Sequence, residues 1–143
     1  MAKIKSFSDL EQSKKLAEIL PVESADMKIL PFTEKEYRVV PINDIAVCDR
    51  EDEIPCWSLA ALLNLLPSEF TEKGKYSTTT YKINIRKYKF TDEVNVHQIA
   101  YGSYKWYEDG GYTWSDMINT GEKENLIDAA FQMICWLKEN NKL

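Results

Sequence analysis

The chain has 143 residues, of which 44% are hydrophobic, 29% charged and 12% aromatic, a balance too apolar for disorder and a size that one hydrophobic core serves. Eighteen Lys and Arg face 23 Asp and Glu for a formal net charge of −5, and six of those cations lie in residues 73 to 89, leaving −11 for the rest. Such a field opposes polyanions, which excludes general binding to duplex nucleic acid and confines any nucleic-acid role to a local surface.

Ser8-Asp9-Leu10-Glu11 has the spacing of a capping box and opens a first helix, with Leu10, Leu16, Ala17 and Leu20 near one stripe and Pro21 as its stop. Two short apolar runs, Lys28 to Phe32 and Tyr37 to Ile42, flank a polar turn and predict a hairpin. Pro31 and Pro41 cannot donate ladder hydrogen bonds, so both strands are expected at sheet edges. Asp49 to Glu53 is an acidic loop. A second helix is expected from Pro55 to Leu66, with Pro55 in its first turn and Leu59, Leu62, Leu63 and Leu66 repeating at helical spacing; it is apolar almost all round and belongs in the core.

Residues 75 to 90 alternate as a half-buried strand, with Tyr81, Ile83 and Ile85 on one side and Thr80, Lys82, Asn84, Arg86 and Tyr88 on the other. Val94 to Tyr107 forms its antiparallel neighbour. The parity of that run is broken, since Val94 and Val96 oppose Ile99 and Tyr101, and a bulge near His97-Gln98 would reconcile them. Glu108-Asp109-Gly110-Gly111 is a turn leading into a short strand at Tyr112 to Trp114, and a last helix runs from Asn125, as its cap, to about Asn140. These elements make one α+β domain over residues 1–143: an antiparallel or mixed sheet of about four or five strands with three helices.

Little in the chain carries catalytic or ligand-binding chemistry. His97 is the single histidine, so a two-histidine metal site is excluded and a histidine-based triad has one candidate base, placed mid-strand. Cys48, Cys56 and Cys135 lack CxxC spacing and read as reduced core thiols; Cys56, in the first turn of the expected second helix, would feel the positive end of the helix dipole and is the one candidate nucleophile. Glu51, Asp52 and Glu53 lack the spacing of a calcium loop, and no glycine-rich segment fits a nucleotide fingerprint. No catalytic, cofactor or metal residue is assigned, and no cofactor is expected. No apolar run reaches the ~20 residues of a membrane span, and no apolar segment follows the basic N-terminus, so the expected location is the cytoplasm.

What remains is the basic strand face, where Tyr76, Lys82, Arg86 and Tyr88 project together as a candidate binding surface. Cations interleaved with flat rings suit single-stranded nucleic acid through phosphate contacts and stacking, and equally suit a protein partner. A solvent-facing strand has the same composition, and pairing with Asp92, Glu93 or Glu108 would neutralise it. Tyr101, Tyr104, Trp106, Tyr107, Tyr112 and Trp114 crowd the third quarter of the chain; most are expected in the core, and any left exposed would make an interface, including a homodimer that hides them.

Three stretches, Glu11 to Met27, Ile54 to Pro67 and Asp128 to Lys142, about a third of the chain, resemble in the same order a family of small uncharacterised proteins from phages, prophages and mobile elements of gut anaerobic bacteria. The resemblance implies a shared helical scaffold, no established activity, and a variable surface within residues 68 to 107. It points to a small accessory or inhibitory factor in an infected cell that binds a host or phage protein without catalysis. Two alternatives stand beside it: single-stranded nucleic-acid binding through Lys82, Arg86 and Tyr88, and a cysteine-dependent enzyme built on Cys56.

Overall fold

The computed structural model describes residues 5–33, 35–43 and 52–143. Among them are three α-helices, α1 (Leu10–Ile19), α2 (Leu59–Leu65) and α3 (Leu126–Glu139), and seven strands, β1 (Met27–Pro31), β2 (Tyr37–Pro41), β3 (Ile54–Cys56), β4 (Glu69–Lys73), β5 (Thr78–Lys89), β6 (Asn95–Tyr107) and β7 (Gly111–Asn119). The α+β class holds, with the strands divided between two antiparallel sheets, ordered β2-β1-β3 and β4-β5-β6-β7. Cys48 and most of the acidic loop, including Glu51, lie outside the described residues.

The capping box of α1 is built one residue later than expected. Asp9 accepts from the Gln12 backbone N–H at 2.8 Å, and the Gln12 side chain accepts from the Asp9 backbone N–H at 3.1 Å. Aspartate caps as well as serine, and the shift frees Ser8 to turn inward, where its hydroxyl lies 2.7 Å from that of Ser13 and accepts from the Trp57 backbone N–H at 3.1 Å. The buried face of α1 is therefore Ser13 and Leu16, continued by Leu20 just past its end.

In the smaller sheet β1 is central rather than an edge, because Pro31 is its last residue and the missing N–H interrupts no ladder. β2 is an edge, as expected. Lys28, on β1, is 5% exposed and its ammonium sits 3.3 Å from the Glu53 carboxylate. Pro55 belongs to β3, an edge strand that tolerates it, and does not open α2. The helix starts later, at Ser58, whose hydroxyl accepts from the Ala61 N–H at 3.1 Å while its own N–H and O–H donate to Asp26. Within α2 only Leu62 is fully buried, and Ala60 and Asn64 face solvent. Trp57, which precedes the helix, is wholly buried and its indole N–H donates to Ser24 at 2.9 Å.

α3 lies across β6 and touches α1 and α2. Its N-cap position is Asn125, but that side chain accepts from the Lys5 backbone N–H at 3.2 Å instead of capping, and Asp128 in the first turn takes the Lys5 ammonium at 2.6 Å. The core between the helices and the larger sheet contains Leu62, Leu66, Ile99, Tyr101, Met133 and Ile134, with Phe70 ringed by Tyr81, Tyr101 and Trp136 at centroid distances of 5.6, 5.0 and 6.2 Å. β4 carries Phe70 into this cluster; it has no counterpart in the sequence expectation, since Glu69, Thr71 and Lys73 dilute its pattern.

The larger sheet thus has a core face and an outer face. Register places Tyr81, Ile83, Ile85, Ile99, Tyr101 and Ile118 on the core side, and Lys82, Asn84, Arg86, Tyr88, Val96, Gln98, Ala100 and Gly102 on the other.

Candidate functional site

The β5–β6 ladder is regular through His97 and Gln98, so the expected bulge is absent there. It lies in β7 instead: Tyr101 opposes Ile118 but Gly102 opposes Asp116, leaving Met117 as the extra residue. The broken parity of β6 has another cause. Both of its faces are covered, so Val96 and Ala100 are buried on the outer side as Ile99 and Tyr101 are on the core side.

That one inserted residue sets the composition of the outer face. Without it, Asp116, Trp114 and Tyr112 would share the core-facing parity of Ile118; with it, they stand opposite Gly102, Tyr104 and Trp106 on the outer side, while Met117 and Ile118 both pack against the core. Gly102 is needed beneath, because a Cβ there would stand 2.9 Å from the Trp114 ring and collide with the Ser115 carbonyl.

Beyond Gly102 the sheet forks. β6 pairs with β5 no further than Lys82↔Gly102, and from there β5 continues with β4 while residues 103 to 107 and 111 to 115 form a two-stranded arm. Two directly opposed ring pairs line the outer side of this arm: Tyr104–Trp114 with centroids 5.3 Å apart and Trp106–Tyr112 at 5.1 Å, both edge-to-face. Tyr104, Trp106 and Tyr112 are 68%, 63% and 72% exposed and Tyr107 is exposed as well. The expectation that most of this aromatic cluster is core is therefore corrected: of the six rings only Tyr101 is buried, its hydroxyl donating to the Pro67 carbonyl at 2.6 Å and its ionisation pushed up by desolvation. Alternation is the reason, since helices cover only one side of the sheet.

The basic strand face is less basic than its sequence. Arg86 donates through both terminal nitrogens to Asp116, at 2.9 and 2.5 Å, and also to Gln98 at 2.9 Å. Asp116 further accepts from the Trp114 indole at 2.6 Å, which ties the guanidinium to the base of the aromatic arm. The hydrogen bond with Arg86 holds the Asp116 carboxyl below the usual carboxylate range, and the same bond raises the already high guanidinium value. Tyr88 donates to Glu122 at 2.6 Å, and that bond raises its phenol. The Arg86 charge is thus matched by Asp116 on β7, in place of Asp92, Glu93 or Glu108, while Glu122 just beyond β7 accepts from the uncharged Tyr88 hydroxyl. Lys82 opposes Glu69 across the β4–β5 ladder. Tyr76 does not join the set: it is 89% exposed in the β4–β5 turn beside Lys75, ten residues or roughly 33 Å of extended chain from Arg86.

The cysteine candidate loses its basis in geometry. Cys56 ends β3 and is fully buried; desolvation pushes its thiol up, against the weaker opposing hydrogen bonds of Ser8 and Ser13. His97 bonds backbone to backbone with Lys123, and its Nδ1 lies 3.2 Å from the Glu124 carbonyl. A surface depression is lined by Gln12, Lys123, Asp128, Phe131, Gln132 and Cys135, but Asp128 is committed to Lys5 and Gln12, and burial raises the Cys135 thiol. Burial, which opposes charge on Lys5, is outweighed by its bonds to Asp128 and Asp9, so that ammonium is raised. Among the described residues no group of three or more His, Cys, Asp or Glu is placed to hold a metal, and no helix is long and apolar enough to cross a membrane.

Compared with family models, with curated proteins and with solved structures, the chain matches none.

Proposed function

We propose that the protein is a noncatalytic binding factor that engages a protein partner through the outer face of the β4–β7 sheet, with the arm rings Tyr104, Trp106, Tyr112 and Trp114 as its centre. The carrying observation is the pair of cross-strand aromatic contacts gathered on one side of a two-stranded arm, with Tyr104, Trp106 and Tyr112 exposed and Trp114 half-buried. Trp and Tyr provide large contact areas with little rotamer entropy to lose, and contiguous exposed rings of this kind mark interaction sites. Lys82 and Tyr88 lie on the same outer face and form its flank. The resemblance of three helical stretches to small phage and mobile-element proteins supports an accessory or inhibitory role in the cytoplasm of an infected cell, toward a host or phage protein.

Single-stranded nucleic acid is less favoured, because the Arg86 charge is already matched by Asp116 and the Tyr88 hydroxyl is turned to Glu122. A pull-down series separates the two. Capture of a discrete partner by the wild type and by Lys82→Glu, with loss in Trp106→Ala/Tyr112→Ala, supports the aromatic arm. Salt-sensitive binding of a labelled oligothymidylate that disappears in Lys82→Glu and survives the ring variants would replace this reading with the nucleic-acid one. Arg86→Glu is avoided, since it would place two carboxylates against each other.

A further inference from the structure

β7 is the outermost strand of its sheet, and among the described residues its outer backbone row has no hydrogen-bond partner. The two edges of the sheet differ. β4 is five residues long and guarded by Glu69, Glu72 and Lys73, with the Lys142 ammonium 3.3 Å from Glu72. β7 is nine residues long, has no lysine or arginine, and its only charged side chain, Asp116, is tied to Arg86 on the outer face. An edge left this open accepts an added strand.

The side chains along that edge specify what the strand carries. Tyr112 and Trp114 project outward from β7 two residues apart, with Tyr104 and Trp106 behind them, and none of the four outward positions of the arm holds a cation. The arm's own Lys105 opposes Thr113 on the other side. Glu108 and Asp109, both exposed, close the arm at its tip. Ring faces next to carboxylates select guanidinium and ammonium groups, through cation–π attraction and charge-assisted hydrogen bonds. Resting on the protein-binding reading above, we infer that β7 is a strand-addition site for an extended segment of a partner protein bearing Arg or Lys at alternate positions, which stack on the arm rings and reach Glu108 and Asp109. A second copy of β7 fits poorly, since residues 111 to 119 offer the rings no cation.

The test uses the full chain and three probes: a capped heptapeptide Thr-Arg-Val-Arg-Thr-Arg-Val, its Glu-for-Arg counterpart and an oligothymidylate. Amide and indole resonances are followed during titration at near-physiological salt. The Arg peptide is expected to shift the amides of residues 111 to 119 and the indole N–H of Trp106 and Trp114, and its Glu counterpart to leave them unmoved. Trp106→Ala and, separately, Glu108→Lys/Asp109→Lys should each weaken binding roughly tenfold; the charge variant lies in an exposed turn, and unchanged β6–β7 amide shifts verify its fold. Equal binding of the two peptides, silence at millimolar peptide, shifts mapping elsewhere or a preference for oligothymidylate overturns the inference. If a captured partner depends on Trp106 but the Arg peptide is silent, the strand-addition idea falls while the protein-binding reading stands; capture independent of the rings removes both.

Discussion

Gly102 is the residue on which the outer face depends. Its missing side chain lets the Trp114 ring lie over β6, and Trp114 in turn orients Asp116 toward Arg86. Gly102→Ala is expected to destabilise the protein by about 1–3 kcal/mol through overpacking, read as a lower urea midpoint with unchanged slope; a neutral substitution would mean that the ring is not held there. The Arg86–Asp116 pair makes a pH prediction. A carboxyl depressed in the folded state contributes its full stabilisation above the ordinary carboxylate pKa of about 4 and loses it as pH falls through the lower folded value. Asp116→Asn should therefore cost about 1 kcal/mol near neutral pH, with the gap to the wild type closing as pH falls below the ordinary carboxylate range and through the lowered folded value. A gap that stays constant with pH would show that the pair is not the source. Cys56, buried and with its thiol pushed up, is expected to resist an alkylating probe in the folded protein and to label on unfolding. Rapid labelling of the native chain would reopen the cysteine-enzyme reading.

At the level of elements, a single inserted residue decides which chemistry β7 shows to solvent. Deleting Met117 would restore simple alternation and turn Asp116, Trp114 and Tyr112 toward the parity of Ile118. Loss of the Arg86 partner and of both ring pairs should then lower stability by at least ~2 kcal/mol, with a changed tryptophan emission as the readout. The start of α2 was only partly legible. Ser58 has the chemistry of an N-cap, but Pro55 is also at home in a helix's first turn, and the choice between them is made by the pairing of residues 54–56 with β1 and by Asp26, which accepts from both Ser58 donors. In α3 the apolar spacing was sufficient, because Ile127, Ala130, Ile134 and Leu137 recur at helical spacing and, with Ala129 and Met133, make its buried face.

Over the whole molecule, the helices pack on one side of the larger sheet, and on the other side only the middle of β6, at Val96, Ala100 and Gly102, is buried while the arm rings meet solvent. The arm rings are apolar surface that this arrangement does not bury. With no cation along β7 to meet a second set of rings, the chain is expected to sediment as a monomer at tens of micromolar. A concentration-dependent dimer that dissolves in Trp106→Ala would assign the arm to a homodimer interface. The net charge of −5, concentrated outside residues 73 to 89, suits a basic partner and should make its association faster at low ionic strength.

Local pattern was enough to place the three helices, apart from the start of α2, and for the first hairpin and the β5–β6 pair, because period and turn residues are properties of neighbouring positions. Tyr104 and Trp106, with Tyr112 and Trp114 across a Gly-Gly turn, even show the two-residue spacing of a ribbon face. Which side that face takes is not a local property: it follows from the bulge at Met117 and from helices docking on the opposite surface. The fate of the basic face was also long-range, since Arg86 is neutralised by a carboxylate thirty residues away that only the β6–β7 register delivers. Sequence alone determined the helical segments, the first hairpin and the β5–β6 pair with the composition of their faces, whereas tertiary pairing made β3 and β4 strands and decided which charges cancel and which rings meet solvent.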